Sequence, residues 1–396
     1  MLLVLACLGL IAVANGLRPF RWTPLVVPSF FAAWLTVELA PQLLLLTVVV
    51  TAVLTVVVGV SWVGLLVTAV VVAGLLAMVA ESERAAAQAD AALADWPEPL
   101  ERSQVEAGVV RRFFRRMSFS HPDVDRTVDV SYGELPRHKL DVYRRKDGPT
   151  GAPTLVQVHG GAWVIGDKGQ QGRPLMNHLA ARGWVCFAPN YRLSPKATWP
   201  DHLIDVKRAI AWVREHGHEY GADPGFHVLT GGSAGGHLTA LCALTPNDPM
   251  WQPGFEDADT SVTACVPYYG VYDLNGETGT TAATVREKRL LARMVMKTRD
   301  REVYRLASPL SHVNPEAPPF FVVHGRNDTL VPVEEARLFV ERLRAVSPNP
   351  VLYLELPGTE HAFDVFASIR SDHVVEAVGR FCELVRARLG HPSSPP

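Results

Sequence analysis

Apolar residues are distributed so as to divide the chain into two unlike parts. Asp, Glu, Lys and Arg are absent from Met1 to Leu17, from Trp22 to Val37 and from Leu39 to Ala80. As one helix the last run would measure about 63 Å at ~1.5 Å per residue, twice the ~30 Å hydrocarbon thickness of a bilayer. It therefore predicts a hairpin of two spanning helices, roughly 42–60 and 61–80, turning near Gly59 to Gly64. Segments 2–16 and 24–40 are shorter, and Pro24 and Pro28 interrupt the second. Each is compatible with a span or with a helix lying in the interface. Residues 1–80 are thus expected to form a transmembrane region of three or four hydrophobic segments.

Beyond Ala80 the pattern changes twice. Residues 81–116 are alanine-rich and charged, which predicts a helical linker. From 117 to 391 short β-rich runs alternate with helical stretches, and 392–396 form a tail. Thr127 to Tyr132 and His138 to Tyr143 read as an antiparallel pair. Further strands are predicted at Thr154 to His159, Val185 to Ala188, His227 to Thr230, Ala264 to Tyr268, Phe320 to His324 and Val351 to Leu356. The intervening helices fall at 173–182, 201–217, 234–244, 333–345 and 371–389. Buried strands alternating with helices predict an α/β domain around a mostly parallel sheet, whose sites form at the carboxyl ends of strands.

Composition narrows the function classes. With 38 basic and 40 acidic side chains the net charge is −2, which gives no support to nucleic-acid binding. Cys7, Cys186, Cys242, Cys265 and Cys382 are widely spaced and form no metal-ligand pattern, and four of them lie in apolar surroundings, so buried free thiols are expected and neither metal nor cofactor is called for.

Charge near the apolar segments bears on topology. The first segment offers Ala12-Val13-Ala14 as a signal-peptide cleavage site but lacks the basic region that should precede it. An integral, multi-pass protein of a bacterial plasma membrane is the expectation. Arg18 and Arg21 favour a cytoplasmic loop, so four spans would put the remainder outside and three would put it inside. The acidic stretch after Ala80 leans towards outside. The patch Arg111-Arg112-Phe113-Phe114-Arg115-Arg116 suits either an anionic leaflet or a solvated helix face.

Polar and glycine-rich loops follow five of the predicted strands. Between His227-Val228-Leu229 and the helix from Leu238 lies G-x-S-x-G, formed by Gly231, Ser233 and Gly235. In a strand-to-helix turn this pattern exposes a serine hydroxyl above the sheet, with small neighbours to avoid collision. A serine hydroxyl needs a base, and the base needs a carboxylate to fix its tautomer. His361 and Asp328 follow late strands and complete the order Ser233, Asp328, His361 expected of an α/β-hydrolase. Glu360 and Asp364 flank His361 and rank below Asp328 as its partner. The oxyanion needs backbone donors, supplied by Ala234 at its helix start and by the loop His159-Gly160-Gly161-Ala162. His159 is expected to orient that loop, and His237 to pack or to line the pocket.

Three motifs together carry a family resemblance. His159-Gly160-Gly161-Ala162-Trp163, Tyr191-Arg192-Leu193-Ser194-Pro195 and Gly231-Gly232-Ser233-Ala234-Gly235-Gly236-His237 resemble the hormone-sensitive-lipase-like esterases, most closely the carboxylesterase/feruloyl-esterase-type branch. The resemblance covers about 130–390 and implies the α/β-hydrolase fold and ester hydrolysis through an acyl-serine. It also implies oxyanion donors at Gly161, Ala162 and Ala234, with Gly160 shaping the loop. Two positions depart from the family: Ala162 often corresponds to glycine there, and Gly232 to Asp or Thr. The loop also resembles that of kynurenine-formamidase-like amidases, so arylformamide hydrolysis stays open. So does acyl transfer, and so does a membrane scaffold with an inactive hydrolase domain. The substrate is expected to be a small-molecule or lipid ester, and the bilayer a partner. Trp199, Trp251, Tyr268, Tyr269 and Tyr272, with the insertion 272–310, are candidates for an acyl pocket and cap, or equally for ordinary core. The sequence leaves oligomeric state open.

Overall fold

The computed structural model describes residues 1–21, 24–97, 120–280 and 291–390. The basic-aromatic patch at 111–116 and the tail therefore lie outside the described residues. Four helices come first: α1 (Leu2–Leu17), α2 (Val26–Glu38), α3 (Ala40–Val58) and α4 (Trp62–Leu93). Next are β1 (Val124–Ser131), β2 (Lys139–Arg145), β3 (Ala152–Val158), α5 (Arg173–Ala181), β4 (Val185–Pro189), α6 (Asp201–His216), β5 (Ala222–Gly232) and α7 (Ala234–Leu244). The chain continues through β6 (Ala264–Tyr268), α8 (Arg301–Leu306), β7 (Phe320–Gly325), α9 (Val333–Val346), β8 (Val351–Leu356) and α10 (Ile369–Arg388).

One sheet takes the order β1-β2-β4-β3-β5-β6-β7-β8. β1 and β2 are antiparallel to each other, β2 is antiparallel to β4, and every pair from β4 to β8 is parallel. β3, β4, β6 and β7 are buried along their whole length. Helices cover both of their faces, which explains why these strands read as unbroken apolar runs rather than alternating ones. One core layer joins Leu155, Val228 and Val323 to Leu179 of α5 and Phe381 of α10. The opposite layer joins Val156 and Leu229 to Val206 and Ile210 of α6 and Leu238 of α7. This is the α/β-hydrolase architecture expected from the sequence.

The N-terminal helices are built into this domain. α4 runs without interruption from Trp62 through the predicted start of the linker to Leu93. Its last turns put Ala85, Ala89 and Leu93, followed by Trp96, into the same core layer as Phe321 and Phe381. Trp96 meets Phe381 edge-on, with ring centroids 5.8 Å apart. Toward its other end α4 lies alongside α1 in parallel. A side chain on Gly9 would come within 3.2 Å of Val71, and one on Gly16 within 2.7 Å of Met78. Glycine thus lets these two helices approach closely, as apolar helix pairs commonly do.

α3 and α4 are both long and apolar enough to cross a membrane, and their connection falls at Gly59–Ser61, inside the expected turn. Val56 is 85 % exposed and Trp62 is 76 % exposed at that far end. α2 behaves differently. Trp34 and Glu38 both touch the hydrolase domain, so α2 lies along that domain instead of running away from it.

Candidate active site

The turn from β5 into α7 sets the geometry of Ser233. Its backbone sits at φ 57°, ψ −120°, a left-handed conformation costing roughly 1–3 kcal/mol for a non-glycine residue. Neighbouring atoms hold it there: the Ser233 amide donates to Tyr268 O at 3.0 Å. A side chain on Gly231 would lie 2.6 Å from Val158 O, and one on Gly235 2.8 Å from His159 O. The small residues of G-x-S-x-G are therefore required by the closeness of β3, as the motif predicts.

The loop after β3 packs directly against this turn. A side chain on Gly160 would come within 2.6 Å of Gly232 O and 3.1 Å of Ser233 Cβ. Gly161, Ala162 and Trp163 have φ of 117°, 51° and 60°, which turns the loop sharply. Among the described residues, the amides of Gly161, Ala162 and Ala234 have no acceptor. The Gly160 amide does have one, Gln171 Oε1 at 2.7 Å, so Gly160 is not available as an oxyanion donor and only shapes the loop. His159 stacks on Tyr191 at 4.4 Å, and its Nδ1 lies 2.8 Å from Gly160 O. Burial lowers the His159 pKa to about 4, so the ring is neutral and braces the loop, as the sequence predicts.

Asp328 and His361 meet across the loops following β7 and β8. His361 Nδ1 is 2.7 Å from Asp328 Oδ2, and Asp328 Oδ1 accepts the amides of Leu330 and Val331 at 2.9 and 2.7 Å. Burial alone would raise the Asp328 pKa. The charge and hydrogen bonds of His361 and His324 overcome it and hold the carboxyl well below its ordinary range. Asp328 is therefore an anion beside the imidazole.

The flanking carboxylates are occupied elsewhere. Glu360 accepts from the Thr329 amide at 2.9 Å. Burial, and then the charge of Asp328, raise its pKa to about 8, so it is protonated at neutral pH. Asp364 accepts the hydroxyl of Tyr269. The ring of Tyr269 lies 4.5 Å from that of His361, and a side chain on Gly232 would collide with its hydroxyl at 2.6 Å. Tyr269 thus ties the serine turn to His361 and explains the glycine at 232, where the resembling family often has a larger residue.

The pocket aromatics divide. Tyr272 is stacked on Phe339 at 4.4 Å in the core, and Tyr268 packs on Phe363. Trp199 and Trp163 contact His237, at centroid distances of 5.9 and 5.0 Å. His237 Nε2 lies 2.7 Å from Ala307 O, while its Nδ1 accepts from Trp163. Burial lowers its pKa to about 3, so it joins the loop aromatic to the segment around Ala307. Only Tyr269 of the five touches His361. The part of the expected cap at 281–290 lies outside the described residues.

With this geometry in place, comparison with known proteins decides the family. The BD-FAE family model matches residues 140–343. This chain belongs to the BD-FAE family. The match includes Ser233 and Asp328 and stops before His361. The chain is also similar to the probable carboxylic ester hydrolase LipM of Mycobacterium tuberculosis, 49% identical over 85% of this chain and 80% of the relative. Esterase LipC of the same organism is 46% identical over 74% of this chain and 70% of the relative. The similarity to LipM covers more than the hydrolase domain alone can supply, so it reaches into the N-terminal helices. Among solved structures, the butyrate-bound esterase Est2 of Thermogutta terrifontis superposes with TM-score 0.57 at 27% identity, over 69% of this chain and 97% of that one.

Three features of this BD-FAE chain were not anticipated from its sequence. His324 Nε2 lies 3.3 Å from Asp328 Oδ2, giving the carboxylate a second imidazole; the spacing of four residues at a strand end was the available signal. Gln171 caps the Gly160 amide from a loop without a motif. Phe30 and Trp34 of α2 reach the His361 loop: the Phe30 ring is 6.2 Å from His361, and Trp34 Nε1 donates to Ala362 O at 2.9 Å.

Proposed function

We propose that this protein is a serine carboxylic ester hydrolase with Ser233 as nucleophile, His361 as general base and acid, and Asp328 as the carboxylate that orients His361. The observation that carries the reading is the 2.7 Å contact of His361 with the buried Asp328 anion, at the same carboxyl end of the parallel strands as the strained serine turn. In this mechanism His361 takes the Ser233 proton as Oγ adds to the ester carbonyl. It then returns the proton to the leaving alcohol, and water releases the acid from the acyl-serine by the same route. The amides of Gly161, Ala162 and Ala234 receive the oxyanion. Substrates are small-molecule or lipid esters.

The same reading makes the bilayer a partner. Exposed apolar side chains cover α1, α3 and the first half of α4, including Leu5, Leu8, Val49, Val57 and Leu66. An apolar surface of this extent calls for lipid. α1 and α4 run toward the hydrolase domain and α3 runs away from it, which supports three spans. Arg18 and Arg21 then lie at the domain's end of the bundle. The positive-inside rule puts that end in the cytoplasm, reversing the lean drawn from the acidic stretch after Ala80.

A fluorophosphonate probe tests the chemistry. Wild type should be labelled and should hydrolyse p-nitrophenyl esters, whereas Ser233→Ala should do neither. Absence of both in wild type would support the inactive scaffold instead. An alkaline phosphatase fused after α10 should stay inactive in bacteria if the domain is cytoplasmic.

A further inference from the structure

We propose that α2 walls the substrate site on the leaving-alcohol side of His361 and selects esters of long, apolar alcohols drawn from the bilayer. The inference rests on the assignment of Ser233, Asp328 and His361 above. Hydrolysis breaks the bond between acyl carbon and alcohol oxygen, and the proton carried by His361 completes the departing alcohol. That alcohol must therefore sit beside the imidazole, while the acyl carbonyl is held at the loop 160–162. A residue packed near His361 from outside the sheet borders the alcohol.

Phe30 is that residue, with its ring edge-on to His361 and stacked on Trp34 at 5.8 Å. The helix is fixed at three successive turns. Phe30 meets His361, and Trp34 bonds Ala362 O and packs on Phe366 at 4.7 Å. One turn further, Glu38 pairs with Arg370 at 2.5 Å, both carboxylate and guanidinium being buried. His361 is only 4% exposed as a result. Glu38 is the one charged residue of α2, and Arg370 neutralises it. Phe31, Leu35 and Val27 form the outward side of α2 and are exposed. Apolar side chains thus continue from the helix surfaces that meet lipid to the ring over His361. An apolar alcohol chain can remain in hydrocarbon while its ester group enters the site; a polar alcohol would be desolvated without hydrogen-bond partners.

The test uses the full chain in phospholipid nanodiscs with acetates of ethanol, butanol, octanol and dodecanol. Wild-type kcat/KM should rise with alcohol length by about tenfold or more, and Phe30→Ala should lose far more on dodecyl acetate than on ethyl acetate, abolishing most of that rise. Phe30→Trp, which fills the wall further, should move the preference toward shorter alcohols, and it decides the matter if Phe30→Ala no longer labels with fluorophosphonate. A flat wild-type series, an equal loss on every ester, or no shift in Phe30→Trp would overturn the proposal. A wild type that neither labels nor hydrolyses any acetate would instead overturn the esterase reading.

Discussion

Asp328 Oδ2 lies 2.7 Å from His361 Nδ1, and nothing else among the described residues offers that nitrogen a carboxylate at such range. Asp328→Asn keeps the shape but presents an amide that can favour the wrong tautomer. A fall in kcat of about 10⁴-fold is expected, with the fold intact. Steady-state hydrolysis of p-nitrophenyl butyrate beside circular dichroism checks it; a loss under tenfold would remove Asp328 from its role.

Gly160→Ala tests the loop. The added carbon would sit 2.6 Å from Gly232 O and 3.1 Å from Ser233 Cβ, so the loop must move away from the serine and carry its amide donors along. Misplacing a single donor costs about 10²–10³ in kcat. Thermal unfolding of the variant should change much less than its turnover.

Glu38 and Arg370 hold α2 to the hydrolase domain through a buried pair. Removing one partner leaves a buried charge alone, at a cost of about 3–5 kcal/mol, whereas an apolar replacement of both is close to neutral. Glu38→Ala should therefore lower the apparent Tm in nanodiscs markedly. The double variant Glu38→Leu with Arg370→Met should restore most of it, and additive losses would contradict the pairing.

Glu360 predicts a dependence of stability on pH. Burial raises its pKa in the folded protein from an ordinary 4.5 to about 8. Between these values the folded state keeps a proton that the unfolded chain has released. Its contribution is complete below pH 4.5 and is lost as pH rises through about 8. Glu360→Gln should flatten that decline, measured by denaturant unfolding across the interval. An unchanged slope would show that the carboxyl titrates normally.

Much of this was legible in the order of residues because it depends on local rules. The serine turn follows from glycines that β3 forces to be small, and buried parallel strands write themselves as apolar runs. His361 stands out among fourteen histidines because its loop follows a late strand, and the structure brings it to Asp328. Contacts between segments far apart in the chain left no such trace. Phe30 lies over His361 from more than three hundred residues away, and its Phe-Phe-x-x-Trp pattern reads as lipid-facing until Glu38 is seen to meet Arg370. The role of Tyr269 was equally hidden, since its hydroxyl explains Gly232 only in three dimensions.

The unbroken course of α4 has a consequence for assembly. Ala85, Ala89, Leu93 and Trp96 complete a core whose other members extend to Val385. The helix leaves the ribosome early, yet its last turns must wait for the last strand and α10 before their face is covered. Completion of the core is thereby tied to the presence of this helix, and a protease cutting within 81–96 would unseat part of the interior instead of releasing an intact hydrolase domain.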